Sequence, residues 1–177
     1  PFVESRYRAD ARSKGGPTGL WQFTAGTARR HGMRVQGRVD ERLSVVASTE
    51  AAVRYLSRLH RMFGHDWQKT VIAYNAGEGA LRASRRKGAP RLSGITRSYP
   101  LKLHAIACLF DQSADNPRWQ RAIERQVPRL VSRQLPAGTR DLRGWAVAQG
   151  LEADLVMALN PGWHPGTRDA LAPTGSD

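Results

Sequence analysis

Apolar residues recur at helical spacing along the first two thirds of the chain, and they predict a mainly helical fold there. Between residues 41 and 63, eight apolar positions fall on one stripe, and mostly arginines lie opposite. Thr24 can cap a short helix over 25–31, and Asp66 can cap another that ends within 75–79. Residues 99–112 repeat the apolar helical pattern.

The pattern changes after residue 110. Residues 111–129 are polar or charged with few apolar positions, and we interpret them as a linker or a poorly packed helix. Beyond them the sequence predicts a strand at 130–135, two short helices and a weak closing strand at 169–173. We therefore expect a helical domain over 1–110, a linker over 111–129 and a small, incomplete α+β unit over 130–177.

Composition narrows the function classes. The 177 residues are 40% hydrophobic and contain one cysteine, which excludes an internal disulfide framework and a cysteine-rich zinc site. The five histidines form no pair with metal-ligand spacing, so we predict no metal site. A net charge of +13 favours an anionic partner, but no basic block or interleaved aromatic stripe indicates nucleic acid.

The first five residues are typical of the end of a helix that begins upstream, so we expect this sequence to be a fragment. No signal peptide is visible, and the compartment therefore cannot be deduced from the first residues.

Three short segments carry candidate chemistry. Glu4 precedes Ser5 on an apolar turn, and partial burial would raise the pKa of such a carboxyl and make it a proton donor. Gly19-Leu20-Trp21-Gln22 offers close backbone approach and an amide for a polar ligand. Ala73-Tyr74-Asn75-Ala76-Gly77 ends a helix. Each segment also has a purely structural interpretation: a solvated glutamate, a core tryptophan and a helix cap.

The ordered set of these segments resembles the soluble lytic transglycosylase family, which has the lysozyme-like fold, and most of all its membrane-bound D-type branch. Residues 45–52 and 64–67 also match that branch in type and placement. The resemblance covers residues 1 to about 110. Residues 135–162 are similar to the LysM-like segment that follows the catalytic domain in this branch.

The resemblance implies roles for six residues. Glu4 corresponds to the family's sole catalytic acid/base, and Ser5 to its hydrogen-bonding neighbour. Tyr99 corresponds to a late tyrosine whose hydroxyl lies close to the catalytic carboxyl. The residues implied to bind substrate are Ser5, Gln22, Tyr74, Asn75 and Tyr99.

The implied activity is non-hydrolytic cleavage of the bond between N-acetylmuramic acid and N-acetylglucosamine in peptidoglycan, giving 1,6-anhydro products. No cofactor or metal is implied, and the partners are glycan strands rather than nucleic acid. The implied location is the periplasm or cell envelope, with peripheral membrane association through an upstream region. Three alternatives stay open: a lysozyme-like muramidase, a catalytically impaired peptidoglycan-binding protein and, as the generic interpretation of a net charge of +13, a nucleic-acid binder.

Two positions depart from the family pattern. Ile95 stands where the family usually has glutamate, and Pro100 stands where it usually has valine. Because a proline disfavours helical backbone at the residue before it, we expect Tyr99 to be extended. Asp10 and Asp40 are the nearest candidates for a second catalytic carboxylate, but neither lies in a motif.

Overall fold

A computed structural model describes residues 1–37, 39–86, 88, 91–112, 116–125 and 129–174. Within these ranges helices dominate, which confirms the mainly helical prediction. The elements in chain order are α1 (Phe2–Ser5), α2 (Ala25–Arg30), β1 (Val35–Gln36), β2 (Val39–Asp40), a 3-10 turn (Glu41–Leu43), α3 (Val45–Met62), α4 (Trp67–Ala76), α5 (Glu78–Ser84), α6 (Gly94–Gln112), α7 (Pro117–Glu124), β3 (Leu130–Gln134), α8 (Leu142–Ala148), α9 (Ala153–Leu159) and β4 (Asp169–Pro173).

The chain divides into two compact units. The first unit combines Pro1–Ala52 with Val127–Asp177, and the second is Val53–Gln126. The elements from β3 to β4, here called the tail, therefore share a unit with the first 52 residues. The sequence predicts instead a separate small unit from residue 130. That separation, like the LysM-like character of the tail, stays a prediction.

The start of the first unit follows the helix caps read from the sequence. Thr24 accepts a hydrogen bond from the Thr27 amide at 3.2 Å, and α2 begins at the next residue as predicted. Strands β1 and β2 form an antiparallel hairpin with Val35 opposite Asp40, which the sequence analysis missed. Two residues per strand are too few to show an alternating pattern.

The tail contains the predicted strand and both predicted short helices. Strand β4 pairs antiparallel with β3 along five residues, from Leu130 opposite Pro173 to Gln134 opposite Asp169. The expectation of a weak and incomplete closing strand is therefore wrong. Ala170, Leu171 and Ala172 are buried in the tail. The alanines give only a weak strand signal in the sequence, but their small side chains fit in this core. The tail core consists of Leu135, Leu142, Ala146, Val156, Ala170 and Ala172.

In the second unit, α4 begins after its predicted cap. The Asp66 carboxylate accepts from the Lys69 amide at 2.9 Å, and Gly77, with a φ of +88°, ends the helix. The sequence analysis did not predict helix α5, because Gly77 and Gly79 interrupt the helical pattern where it begins.

Helix α6 corrects the expectation for Tyr99. The helix continues through Pro100, and Tyr99 is helical and buried rather than extended. An interior proline costs a helix about 3 kcal/mol. Burial of one large side chain stabilises the fold by about 1.5–3 kcal/mol. The burial of Tyr99 therefore offsets much of the cost of Pro100.

The segment predicted as a linker or a poorly packed helix contains helix α7, which Asn116 caps through the Arg118 amide at 3.0 Å. The Trp119 ring lies edge-on to the Phe110 ring, with centroids 5.4 Å apart. Residues 113–115 and 126–128 lie outside the described residues. In the described part of the chain, no helix has both the length and the apolar composition needed to cross a bilayer.

Candidate functional site

Glu4 lies on the short helix α1 and is half-buried. The helix ends in two consecutive left-handed residues, Arg6 with φ 53° and Tyr7 with φ 62°. Such a conformation costs a non-glycine residue about 1–2 kcal/mol. Strained backbone of this kind is frequent at functional sites, so the bend after Glu4 supports its choice as a site residue.

Ser5 attaches α1 to the Gly-Leu-Trp-Gln segment. Its side chain is buried, and its Oγ donates to the Leu20 carbonyl oxygen at 2.8 Å. The structure therefore brings together the two segments that carry Glu4 and Gln22. Ser5 therefore positions the backbone at Leu20. The sequence did not indicate this role, because the two residues lie 15 positions apart.

Gln22 also adopts a left-handed conformation, with φ 50°. Its Nε2 donates to Gly19 O at 2.9 Å, and its Oε1 accepts from the Ser13 hydroxyl at 2.7 Å. The amide thus closes the loop between residues 11 and 22. Trp21 is half-buried and donates from Nε1 to Thr49 Oγ1 at 2.9 Å, so it is anchored to α3.

Arg42 was missed by the sequence analysis, although it organises this region. Its buried guanidinium donates to Gly16 O at 2.9 Å and to Phe23 O at 3.2 Å. It also donates to the two carboxylate oxygens of Asp40, at 2.9 and 2.8 Å. Burial alone would raise the pKa of Asp40, but the hydrogen bonds and charge of Arg42 lower it overall. The sequence pattern does not distinguish a single buried arginine among the 24 arginines of the chain.

Gly19 packs against the backbone of Arg42. A Cβ at Gly19 would lie 1.8 Å from the Arg42 carbonyl oxygen, and the φ of Gly19 is +82°. Only glycine fits such a position, because the close approach is that of the Arg42 backbone.

The second unit holds the other predicted site residues. Asn75 lies in the last turn of α4, and its Oδ1 accepts from the Thr96 hydroxyl of α6 at 3.0 Å. Tyr99 is buried one turn further along α6. The end of α4 and the start of α6 therefore meet at Asn75, and Thr96 is a second residue that the sequence analysis did not select. Ile95, by contrast, is exposed.

A charged network supports the neighbouring Tyr74. The Tyr74 ring lies 5.4 Å from the ring of Tyr55, whose hydroxyl donates to Glu78 at 3.0 Å, and Arg58 pairs with the same carboxylate. Partial burial would raise the pKa of Glu78, but hydrogen bonds from Arg58, its own amide and Tyr55 lower it to about 2. Glu78 is therefore a structural anion rather than a proton donor.

The two acids considered as a second catalytic carboxylate are both held in ion pairs. Asp10 accepts from Arg8 at 3.3 Å, and its pKa is lowered, chiefly by that hydrogen bond. Asp40 is the partner of Arg42 described above. Across the described ranges, no three His, Cys, Asp or Glu side chains are grouped where they could hold a metal ion.

Comparison with known proteins identifies the family. The model of the transglycosylase SLT domain matches residues 1–91, which is just over half of the chain. The chain belongs to the transglycosylase SLT domain family. Since the SLT domain is lysozyme-like, this match also confirms the predicted fold class for the first part of the chain.

Several curated proteins are similar to this SLT chain. Membrane-bound lytic murein transglycosylase D of Escherichia coli strain K12 is 40% identical over 123 residues, which cover 64% of this chain and 27% of the relative. Peptidoglycan transglycosylase gp16 of Escherichia phage T7 is 39% identical over 97 residues, or 54% of this chain and 7% of the relative. A putative tributyltin chloride resistance protein of an Alteromonas species is 38% identical over 84 residues, or 47% of this chain and 41% of the relative.

The matched region thus spans about a quarter of the Escherichia coli relative and less than half of the other two.

Proposed function

We propose that this chain contains the catalytic domain of a lytic transglycosylase that cleaves peptidoglycan. The observation that carries the proposal is the hydrogen bond from Ser5 to Leu20, because it joins the Glu-Ser and Gly-Leu-Trp-Gln segments in one unit. Membership of the SLT domain family and similarity to two proteins named as transglycosylases support the same activity.

Glu4 is the catalytic residue in this proposal, acting first as a general acid. Its carboxyl proton passes to the oxygen that links C1 of N-acetylmuramic acid to N-acetylglucosamine. The C1–O bond breaks, and the N-acetyl group of the muramyl residue stabilises the positive charge that develops at C1. The N-acetylglucosamine leaves with a free hydroxyl.

The ionised Glu4 then acts as a general base. It takes the proton from the C6 hydroxyl of the same muramyl residue, and O6 forms a bond to C1. The product is 1,6-anhydro-N-acetylmuramic acid, Glu4 regains its proton, and no water is consumed. One carboxyl thus serves both steps, whereas ordinary glycosidases need two.

The ion pairs of the other nearby acids favour this scheme over hydrolysis. A retaining or inverting glycosidase needs a second carboxylate as a nucleophile or as a base for water. Asp10 and Asp40 are each bound to an arginine and have lowered pKa values, so each is a poor base.

The remaining predicted residues bind substrate in this proposal. Asn75 is exposed at the end of α4, and Thr96 fixes its side chain. Gln22 has an exposed hydrogen bond with Ser13, which a sugar hydroxyl can replace. The full set that we propose to contact the glycan is Ser5, Gln22, Tyr74, Asn75 and Tyr99.

The proposed site of action is the periplasm or cell envelope, where peptidoglycan is the partner. A net charge of +13 raises the encounter rate with this polymer, because its peptides and muramyl groups carry carboxylates. We propose the tail as a LysM-like segment that contacts the same polymer.

Incubation of purified sacculi with the protein, followed by mass spectrometry of the released muropeptides, tests the proposal. The expected products carry the 1,6-anhydro group, whereas a muramidase would release reducing ends. Binding to sacculi without release of any muropeptide would indicate an impaired wall-binding protein and would contradict the proposal.

A further inference from the structure

Ser93 lies directly before helix α6 and takes part in a chain of hydrogen bonds that ends at Asn75. Its hydroxyl donates to the Thr96 hydroxyl at 3.0 Å, and the Thr96 hydroxyl donates to Asn75 Oδ1 at 3.0 Å. The Ser93 oxygen also accepts from the Thr96 amide at 3.1 Å, as the capping residue of a helix does. All three residues lie in the second unit, and only Asn75 among them was predicted from the sequence as a site residue.

The direction of this chain depends on where the single proton of the Thr96 hydroxyl goes. A threonine hydroxyl donates one hydrogen bond, and here that proton goes to Asn75 Oδ1. The oxygen of the same hydroxyl accepts the proton of Ser93. Thr96 is only 7% exposed, so water does not readily replace either neighbour. Ser93 thereby directs the Thr96 proton towards Asn75.

The chain also determines which end of the Asn75 amide is offered to a ligand. A side-chain amide has an oxygen that accepts and a nitrogen that donates two hydrogen bonds. Because Oδ1 receives the Thr96 proton and Asn75 is exposed, Nδ2 is the end that can donate to a ligand. This orientation favours an acceptor such as an acetamido carbonyl, which has no proton of its own to donate. An amide turned the other way would present its oxygen to the same carbonyl and repel it.

The opposite direction is available to the same three groups. In the reverse chain, Asn75 Nδ2 would donate to Thr96, and the Thr96 proton would go to Ser93. Ser93 would then accept twice and send its own proton into solvent. A change at Ser93 that removes its proton should therefore reverse the chain, which makes this residue the place to test it.

We propose that Ser93 is a positioning residue that sets the polarity of the Asn75 amide and thereby makes Asn75 a hydrogen-bond donor to the substrate. The identity of the substrate, a glycan with acetamido carbonyls, rests on the proposed function. The orientation of the amide rests on the contacts of Ser93 and Thr96 alone.

Ser93→Asp tests this proposal, because aspartate caps a helix as well as serine does but has no proton to donate at neutral pH. Its carboxylate would accept from both the amide and the hydroxyl of Thr96. Thr96 could then only accept from Asn75 Nδ2, so the Asn75 amide should turn over. We expect the rate of anhydromuropeptide release at low sacculus concentration to fall about tenfold, through the loss of one hydrogen bond to the glycan. Urea denaturation should show unchanged or higher stability, and an unchanged rate would overturn the proposal.

Two control variants separate the direction of the chain from the effects of capping and charge. Ser93→Thr keeps a hydroxyl before α6 and should retain most of the rate. Ile95→Asp places the same charge in the first turn of α6, on a residue that is 71% exposed, and should also retain most of it. An equal loss of rate in Ile95→Asp and Ser93→Asp would show that the charge is responsible and would contradict the proposal.

The Asn75→Ala background shows whether Ser93 acts through Asn75. Once the amide is absent, Ser93→Asp should cause no further loss of rate, because nothing remains to be turned over. The same tenfold loss of rate in both backgrounds would show that Ser93 acts by another route, and the positioning role would be wrong.

The orientation of the amide can also be measured without turnover. In nuclear magnetic resonance spectra of the full chain, the signals of the Asn75 side-chain amide are those lost in Asn75→Ala. Their hydrogens should exchange with water more slowly in Ser93→Asp than in the unmodified protein, because Nδ2 is bonded to Thr96 only in the variant. Slower exchange in Ser93→Asp without anhydro products from the unmodified protein would disprove the proposed function and leave the orientation in place. Anhydro products with equal exchange in the two proteins would do the reverse.

Discussion

Around Glu4, side chains bind mainly to backbone carbonyls, whereas around Tyr74 and Asn75 they bind mainly to one another. In the first region Ser5 and Arg42 donate to carbonyl oxygens of the Gly-Leu-Trp-Gln segment and its flanks. In the second, Tyr55, Arg58 and Glu78 form a side-chain network, and Thr96 binds Asn75. The stability of the first region should therefore respond mainly to changes in side-chain size. The stability of the second region should respond mainly to pH.

The largest expected effect is the loss of catalysis when Glu4, in the first region, is replaced. Glu4→Gln should lower the release of anhydromuropeptides by at least 10²–10⁴-fold, which is the usual contribution of general acid–base catalysis, because one carboxyl must act twice. The measurement is the rate of muropeptide release, with sacculus binding as the test of integrity. Glu152→Gln, an exposed change at the start of α9, is the matched control. Retention of more than about a tenth of the activity would contradict the role of Glu4.

Replacing the central arginine should lower the free energy of unfolding more in the first region than in the second. Arg42→Met leaves the Asp40 carboxylate poorly solvated and removes two carbonyl contacts, so we expect a loss of about 3–5 kcal/mol in the free energy of unfolding. Arg58→Met, whose native side chain is 41% exposed, should cost only about 1 kcal/mol. Urea denaturation measures both values. Similar losses for the two variants would show that the regions are held equally tightly.

Gly19 tests the shape dependence of the first region. Gly19→Ala should cost about 2–5 kcal/mol, because it combines a left-handed conformation with a Cβ forced against the Arg42 carbonyl. Gly16→Ala is the matched control: its φ is +90°, but no atom lies within 4 Å of its added Cβ. The control should cost only about 1–2 kcal/mol. Equal costs in urea denaturation would mean that the contact with Arg42 relaxes freely.

In both regions the sequence predicted the local features but not the long-range contacts. The caps Thr24 and Asp66, the stripe on α3 and the motif residues were visible because they follow local patterns. Arg42 and Glu78 were not, since their roles depend on partners 19 to 26 residues away. Tyr99 was misjudged for the same reason: local proline chemistry was outweighed by burial in the folded chain.

Acid should weaken the second region through Glu78. Its pKa is lowered from about 4.5 to about 2 in the folded protein, so it stabilises the fold above pH 4.5, and this contribution is lost as the pH falls towards 2. At neutral pH, Glu78→Gln should cost about 1–3 kcal/mol. The stability difference between wild type and Glu78→Gln, measured from pH 7 to 3, should shrink below pH 4.5. A constant difference would show that the charge of Glu78 contributes nothing.

Asp40 provides the corresponding test in the first region. Its lowered pKa means that acid also removes its contribution, but only below its ordinary value of 3.8. The stability of Glu78→Gln should therefore begin to fall at a lower pH than that of the wild type.

The smallest expected effect is at the contact between Thr96 and Asn75. Thr96→Val keeps the shape of the buried side chain and removes the hydroxyl that donates to Asn75 Oδ1. Asn75 is exposed, so water can replace the lost donor, and the free energy of unfolding should fall by only about 1 kcal/mol. Sacculus digestion should nevertheless slow, because Asn75 is proposed to bind the glycan and would lose its fixed orientation. Thr96→Ser keeps the hydroxyl and should restore most of the rate. Equal rates for the valine and serine variants would show that this hydrogen bond does not position Asn75 for catalysis.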